Sequence, residues 1–342
     1  MLGVKVRRTD AEVLRKEITR AGILDKDHAI IDEDKSVVIP VRSRPSGGLL
    51  KTHAALLVER DFPARNRLVD PIEEVREIVA IPDGLKHLLP DKWEKFGDLG
   101  VIKLDPVLVE YEHEVAEAYA SVLGLKAVLK DTIGISGEFR TPTTKLLLGT
   151  DTVTTHTENG VRYRFDAARI MFSSGNMDER IRMASVKCHG EVVVDMFAGI
   201  GYFSLPLAVY QRPKEILACE INPVAHRYLI ENVRLNHVEN RIRPFLGDNR
   251  DLPGESFADR VIMGYVKTTH EFLPVALRLL KDGGIVHYHE TCPNELLPAR
   301  PIQRIVDSVH GGRVEILRLK DIKSYAPGVS HIVVDARVFK PS

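Results

Sequence analysis

Acidic side chains end three apolar, strand-like segments in the second half of the sequence. Asp195 ends EVVVD, Glu220 ends EILACE, and Asp248-Asn249 follow RIRPFLG. Ligands of open α/β sheets bind beyond the carboxyl ends of the strands, so we expect these side chains to meet in one crevice. A carboxylate at Glu220 can accept hydrogen bonds from both hydroxyls of a ribose, and one at Asp248 can accept from an adenine amino group. The pattern therefore predicts a site for an adenine nucleoside.

A glycine-rich turn joins the first of these strands to a helix. In DMFAGIGYFSLPLA, Gly199 and Gly201 let the backbone approach a ligand closely. A dinucleotide fingerprint would place a third glycine where this chain has Ser204, so the sequence lacks the usual pyrophosphate cradle. The turn therefore favours S-adenosylmethionine over NAD, and a structural turn without a ligand is the alternative.

The fourth strand-like segment bears on the reaction. Many enzymes that methylate an amino nitrogen place Asn/Asp-Pro-Pro-aromatic after this strand, where carbonyl groups hold the attacking amine. Here ADRVI continues as MGYVKT, from Met263 to Thr268, and the clamp is absent. Ordinary N-methylation is therefore less favoured. His270, just beyond this segment, is a candidate proton acceptor.

Strands and helices alternate from residue 170 to residue 342. Seven strand-like segments indicate a doubly wound, mostly parallel sheet that ends in an antiparallel hairpin. They are EVVVDMF, EILACEI, RIRPFLGD, ADRVIMGYV, GGIVHYHET, VEILRL and HIVVDARVF. This sheet is the element that must position the acidic side chains.

The first half of the chain predicts two smaller α+β domains. Residues 1–65 contain a helix near Asp10 to Ala21, an alternating strand in DHAIIDEDKSVVIPVRS, and a turn or mobile loop with exposed cations in RSRPSGGLLKTH. That loop is either solvated or a phosphate contact. After a linker at 66–85, residues 86–169 contain the strands VIKL and LKAVLKD, the helix VLVEYEHEVAEAYASVLG, and a hairpin that turns at Asn159-Gly160.

Composition limits the classes of protein that need to be considered. The chain has 342 residues with 48 basic and 48 acidic side chains, so nucleic-acid binding must use local patches. The three cysteines lack C-x-x-C spacing, which favours a reducing cytoplasm and no bound metal. No stretch approaches the ~18 to 20 apolar residues of a membrane span, so we expect a protein that neither enters a membrane nor is secreted.

Several motifs together resemble a known family, the tRNA-wybutosine aminocarboxypropyltransferases, which are close relatives of the tRNA guanine-N1 methyltransferases. The motifs run from about residue 134 to the C-terminus. They are GEFRTPTTKLLLG, MFSSGNMDERIRMA, DMFAGIGYFSLPLA, GDNRD, ADRVIMGYVKTTHEFLP, GGIVHYHET and YAPGVSHIVVDARVFK. Residues 1–65 resemble the small N-terminal domain of the methyltransferase branch. The resemblance implies a class I methyltransferase-like Rossmann domain at 170–342, preceded by the two α+β domains.

The resemblance also implies roles for individual residues. Those implied to contact S-adenosylmethionine are Ser173, Arg180, Glu220, Asp248 and Asn249, and those implied to line its pocket are Asp195 and Gly199. Arg140 and Glu179 match positions that the methyltransferase branch uses for transition-state stabilisation and proton removal. From the residues alone, Arg140 could be a surface cation and ERIRMA the polar face of a helix. Where relatives often have Ser-Pro, this chain has Ser173-Ser174-Gly175-Asn176.

The implied activity is transfer of the 3-amino-3-carboxypropyl group of S-adenosylmethionine to 4-demethylwyosine, a tricyclic guanosine derivative 3′ of the anticodon of tRNA(Phe). Methylthioadenosine leaves, and Glu179 or His270 accepts a proton. The alternatives are guanine-N1 methyl transfer at the same nucleotide and a tRNA-binding module with a vestigial pocket. We expect a monomer whose partner is the tRNA anticodon stem-loop, with residues 1–65 contacting the tRNA body and 86–169 binding RNA.

Overall fold

The computed structural model describes residues 1–7, 10–33, 35–64, 70–136 and 141–341. Contacts divide the chain into two compact units, Met1–Glu73 and Glu74–Ser342. The helix α3, Pro71–Ile78, spans the division between them. The predicted boundary between residues 169 and 170 lies inside the second unit, and the three-domain division stays a prediction. Within the described residues, no helix is both long and apolar enough to cross a bilayer.

The first unit is a four-stranded antiparallel sheet with two short helices, in strand order β2-β3-β1-β4. Its elements are β1 Leu2–Arg7, α1 Ala11–Arg20, β2 Ile31–Glu33, β3 Ser36–Pro40, α2 Gly47–Thr52 and β4 Leu56–Glu59. The apolar face of α1 packs Leu14 and Ile18 against Val4 and Ile39 of the sheet. Burial of such side chains is the main stabilising term of a small unit of this kind.

Two sequence predictions for this unit are wrong in part. The segment predicted as one alternating strand folds back on itself, so that Glu33 of β2 pairs with Ser36 of β3. A period of two fits both arms of a hairpin, so alternation alone did not reveal the turn. The segment predicted as a turn or mobile loop contains α2, whose N-cap Ser46 accepts a hydrogen bond from the Leu49 N–H at 3.3 Å. The predicted helix at α1 is confirmed.

The first part of the second unit carries a four-stranded mixed sheet in the order β5-β6-β7-β8. Its elements are β5 Trp93–Phe96, β6 Leu99–Ile102, α4 Glu112–Leu123, β7 Ala127–Ser136 and β8 Thr141–Leu148. The predicted strands β6 and β7 and the helix between them are confirmed, whereas β5 and β8 were not predicted. The predicted hairpin is also confirmed: β9 Val153–Glu158 and β10 Val161–Asp166 join through Asn159 and Gly160, both with positive φ.

The remainder of the second unit is a seven-stranded sheet in the order β13-β12-β11-β14-β15-β17-β16. Its strands are β11 Val192–Asp195, β12 Glu215–Glu220, β13 Ile242–Leu246, β14 Ala258–Met263, β15 Leu280–Pro293, β16 Arg313–Ala326 and β17 Val329–Phe339. Its helices are α5 Met177–Met183, α6 Ser204–Gln211, α7 Pro223–Leu235, α8 Leu273–Leu279 and α9 Ala299–Ser308. All seven predicted strands are present.

The strand directions confirm a mostly parallel sheet that ends in an antiparallel hairpin. The neighbouring strands β13, β12, β11, β14 and β15 are parallel to one another. Strand β17 pairs antiparallel with both β15 and β16. One apolar core lies on the α6–α7 face and continues into the β9–β10 hairpin, and another lies on the α8–α9 face. The order reverses at β11, so a crevice opens beyond the carboxyl ends of β11 and β14.

Candidate active site

A cavity of about 420 Å³ lies beyond the carboxyl ends of β11 to β14. That volume is within the range of small-molecule sites, roughly 300–1,000 Å³. The turns that follow these strands form most of its wall, and β16 and β17 contribute three further side chains. The side chains and backbone that line the cavity include Ser173, Arg180, Phe197, Gly199, Tyr202, Phe203, Glu220, Asp248, Asn249, Gly264, Tyr265, Val266, Glu271, Phe272, Lys323, Tyr325 and His331.

The Glu220 carboxylate is fixed at the end of β12 by two backbone donors. The Gly199 N–H donates to Oε2 and the Asn222 N–H donates to Oε1, each at 2.7 Å. Gly199 has φ +58°, and a Cβ there would lie 2.5 Å from the Tyr202 ring, so this close approach requires glycine. Burial raises the pKa of Glu220 above its usual range. A carboxylate has further lone pairs beyond those used by two N–H donors. Because Glu220 lines the cavity, these lone pairs can accept hydrogen bonds from a diol such as that of ribose.

Asp248 and Asn249 lie together at the end of β13. Asp248 accepts from the Arg250 N–H and forms an ion pair with the Arg250 guanidinium, whose hydrogen bonds lower the pKa of this carboxyl. Asn249 donates from Nδ2 to the Met196 carbonyl at 3.0 Å. Its buried Oδ1 has no hydrogen-bond partner among the described residues. Buried polar atoms are rarely left unpaired, so this oxygen is suited to a ligand that donates a hydrogen bond.

Aromatic rings cover one side of the cavity. Phe197, which follows β11, stacks on Tyr265, which follows β14, with ring centroids 5.4 Å apart and planes at 21°. Phe272 meets Phe197 edge-on at 5.1 Å. These rings were not predicted from the sequence, although their positions just after β11 and β14 were a usable signal. Such rings supply an apolar wall beside the polar groups.

Arg180 and Ser173 lie at the wall nearest α5. Arg180 is 3% exposed and donates to both carboxylate oxygens of Glu158, at 2.5 and 2.8 Å, and to the Ser173 carbonyl at 2.8 Å. Its guanidinium lies over the Phe172 ring. Lys323 of β16 donates to the Ser173 hydroxyl at 2.8 Å. The charge of Arg180 is therefore balanced by Glu158, a partner absent from the sequence analysis.

Comparison with known proteins bears on this site. Residues 154–317 match the family described as the TRM5/TYW2 methyltransferase domain, residues 75–152 match the TYW2 N-terminal domain, and residues 3–49 match the tRNA methyltransferase 5 N-terminal domain. A Pyrococcus horikoshii protein named tRNA(Phe) (4-demethylwyosine(37)-C(7)) aminocarboxypropyltransferase is 50% identical over 78% of this chain and 96% of its own length. The chain belongs to the TRM5/TYW2 family.

Solved structures agree with this assignment. P. horikoshii TYW2 in complex with MeSAdo has a TM-score of 0.72 at 47% identity, covering 79% of this chain and all of that one. Trm5b from Pyrococcus abyssi has a TM-score of 0.71 at 35% identity and covers 99% of both chains. The match of residues 3–49 supports the expected likeness of the N-terminal domain to the methyltransferase branch of the TRM5/TYW2 family.

One predicted lining residue of this TRM5/TYW2 chain lies behind the cavity wall. Asp195 is fully buried, accepts from the Ser204 hydroxyl at 2.7 Å and the Phe197 N–H at 3.3 Å, and is not part of the lining. The expectation that it lines the pocket is corrected, because its carboxylate is directed at the start of α6. Burial raises the pKa of Asp195 to about 6. Ser204, the residue in place of a third glycine, thus supports the turn.

The predicted catalytic residues are also placed away from the cavity or are not described. Glu179 of α5 is 0% exposed, and both of its oxygens accept from Arg182, at 2.8 and 2.6 Å. Neither Glu179 nor His270 lines the cavity, although Glu271 and Phe272 beside His270 do. Direct proton removal by either side chain therefore does not fit this geometry. Arg140 lies outside the described residues.

The β16–β17 hairpin supplies site residues that sequence reasoning missed. Lys323 and Tyr325 of β16 and His331 of β17 line the cavity. They fall within and beside the motif YAPGVSH, which was noted only as part of the family resemblance. Because β17 pairs antiparallel with β15, residues at its start lie beside the carboxyl ends of the parallel strands.

Proposed function

We propose that this chain is an S-adenosylmethionine-dependent tRNA aminocarboxypropyltransferase. It moves the 3-amino-3-carboxypropyl group of S-adenosylmethionine to 4-demethylwyosine, 3′ of the anticodon of tRNA(Phe), and releases methylthioadenosine. The observation that carries this proposal is the anchored Glu220 carboxylate facing a cavity whose loop after β14 has no amine clamp. The 50% identity to the P. horikoshii aminocarboxypropyltransferase supports it.

The residues present suit S-adenosylmethionine. Glu220 can accept from the ribose hydroxyls, and the unpartnered Oδ1 of Asn249 can accept from a base amino group. Phe197 and Tyr265 enclose apolar parts of the ligand. The sulfonium makes its three attached carbons electrophilic, so the orientation of the ligand decides which group is transferred. The chain contributes chiefly by holding the donor and the acceptor base in line.

The nature of the small-molecule product tests the proposal. Purified protein would be mixed with S-adenosylmethionine and tRNA that already carries 4-demethylwyosine, and the nucleoside product identified by mass spectrometry. We expect methylthioadenosine. S-adenosylhomocysteine, formed on tRNA with an unmodified guanosine, would instead indicate the guanine-N1 methyltransferase. That second candidate is favoured by the match of the N-terminal domain and by the 36% identity over 341 residues to P. abyssi Trm5b.

The other proposals concern the partner and setting of the enzyme. Residues 1–65 contact the body of the tRNA, and residues 86–169 contact RNA nearer the modified base. Removal of residues 1–65 should weaken tRNA binding in a filter assay and leave the affinity for S-adenosylmethionine unchanged; equal tRNA affinity would refute this role. The three cysteines are buried free thiols, which suits a reducing cytoplasm, and we expect the enzyme to act there as a monomer.

A further inference from the structure

Transfer to a ring carbon requires a group that accepts a proton at the cavity. This requirement rests on the proposed function, in which the ring carbon exchanges its hydrogen for the 3-amino-3-carboxypropyl group. Among the described lining residues, Glu220, Asp248, Glu271 and His331 carry carboxylates or an imidazole. Glu220 and Asp248 are engaged at the ends of β12 and β13. Glu271 is exposed to solvent, whereas His331 is buried at the β17 end of the cavity, four strands away from β12.

His331 lies close to the loop that follows β14. It is paired across the sheet with Thr291 of β15, whose N–H and hydroxyl donate to the Val266 carbonyl at 3.1 and 2.8 Å. Val266 belongs to the loop after β14, where other transferases hold the acceptor. Four strand spacings separate β12 from β17, or roughly 19 Å at about 4.8 Å each. Glu220 and His331 therefore line the cavity at opposite ends.

A second buried histidine holds the His331 ring. Nδ1 of His289 lies 3.1 Å from Nε2 of His331, and the His289 ring stacks on Phe203 at 5.3 Å. The other nitrogen of His289, Nε2, has no hydrogen-bond partner among the described residues and lies 3.7 Å from Oε1 of Glu179. Glu179 is in turn held by Arg182. These contacts connect His331 in the cavity, through His289, to Glu179, the carboxylate that was expected from the sequence to act at the cavity.

These contacts select a tautomer. Burial and the nearby Arg182 lower the pKa of His289 to about 3, so its ring is neutral and carries one hydrogen. The negative Glu179 favours that hydrogen on Nε2, which leaves Nδ1 of His289 to accept from Nε2 of His331. A neutral His331 that donates from Nε2 keeps its lone pair on Nδ1. Lys323 of β16 is the register partner of His331 across the hairpin.

We propose that His331 is the catalytic proton acceptor of the transfer, and that His289 and Glu179 are positioning residues behind it. The ring carbon forms a bond to the γ-carbon of the 3-amino-3-carboxypropyl group as the bond from that carbon to sulfur breaks. The electron pair of the broken bond stays on the sulfur of methylthioadenosine. The hydrogen of the ring carbon leaves as a proton to Nδ1 of His331, its electron pair restores the conjugated ring, and the imidazolium later loses the proton to solvent.

Single-turnover kinetics with the full chain tests this assignment. H331A should lower the rate of methylthioadenosine release at saturating S-adenosylmethionine by about 100- to 1,000-fold, within the range of general acid–base catalysis. The Kd for S-adenosylmethionine should change by less than about threefold, since His331 is not its main anchor. Added imidazole should restore part of the rate of H331A. H331N, which can still donate to His289, should be as slow, and the exposed His113→Ala on α4 is the matched control.

The supporting histidine gives a separate readout. H289F keeps the stacking on Phe203 and removes the contact with His331, and we expect about tenfold slower turnover that imidazole does not rescue. The inference is overturned if wild-type protein releases methylthioadenosine and H331A and H331N do so at the same rate. It is also overturned if both variants only weaken S-adenosylmethionine binding. If wild-type protein releases none, the proposed function fails and this inference fails with it.

Discussion

The two ends of the cavity are built in different ways. At the β12 end, Glu220 is held by backbone N–H groups of Gly199 and Asn222, both close to a strand terminus. At the β17 end, His331 is held by His289, behind which lies Glu179 of α5. The first end depends on turns that the local sequence encodes. The second depends on side chains from separate segments that only the folded sheet brings together.

Substitution of Arg182 should have the largest effect, at the β17 end. Arg182 binds Glu179 and also Asp335, with Nη1 donating to Oδ2 at 2.7 Å. Arg182→Met leaves two buried carboxylates without their cation, and we expect a loss of about 3–5 kcal/mol in the free energy of unfolding. Chemical denaturation measures it. Arg227→Met, at an exposed pair on α7, is the control and should change stability by less than about 1 kcal/mol. Equal effects would contradict the description of a buried network.

Asp195, at the end of β11, should make the free energy of unfolding depend on pH. Its pKa of about 6 in the folded protein exceeds the ordinary aspartate value of 3.8, so the folded state binds the proton more tightly. The resulting stabilisation is complete below about pH 4 and is lost as the pH rises through about 6, by roughly 3 kcal/mol. Unfolding free energies between pH 4 and 7 should show this fall, and Asp195→Asn should flatten it. An unchanged slope in the variant would assign the pH dependence to another group.

Glu220 should dominate ligand affinity. Glu220→Ala removes charged acceptors for two hydroxyls, and we expect the Kd for S-adenosylmethionine to rise by about 100-fold. Isothermal titration calorimetry measures this change. The exposed Glu239→Gln serves as a control that should bind as the wild type does. Wild-type affinity in Glu220→Ala would show that the ligand does not use this end of the cavity.

The smallest expected effect concerns Asn249. Its Oδ1 has no partner among the described residues, so Asn249→Ala should weaken S-adenosylmethionine by about tenfold, the size of one hydrogen bond. The exposed Asn240→Ala is the matched control. If Asn249→Ala binds as tightly as the control, its buried oxygen does not contact the ligand.

The contrast between the two ends also explains what the sequence could predict. Seven strands and the carboxyl-edge residues Gly199, Glu220 and Asp248 follow from period, turn chemistry and position at strand ends, all of which are local. Glu179 was expected to act at the cavity because of the family resemblance. The sequence of its helix does not show which face the sheet covers. His331 was missed because its meeting with His289 depends on the pairing of β15 with β17, 42 residues apart in the chain. Long-range pairing of this kind leaves no periodic signal.

The central claim is that the β12 end holds the nucleoside while the aminocarboxypropyl arm reaches the acceptor at the β17 end. The most direct measurement follows which part of the donor enters tRNA that carries 4-demethylwyosine. Two samples of S-adenosylmethionine would be used, one radiolabelled in the carboxyl carbon and one in the methyl group. We predict that the carboxyl label enters the tRNA and that the methyl label leaves with methylthioadenosine. Methyl label in the tRNA would contradict the account.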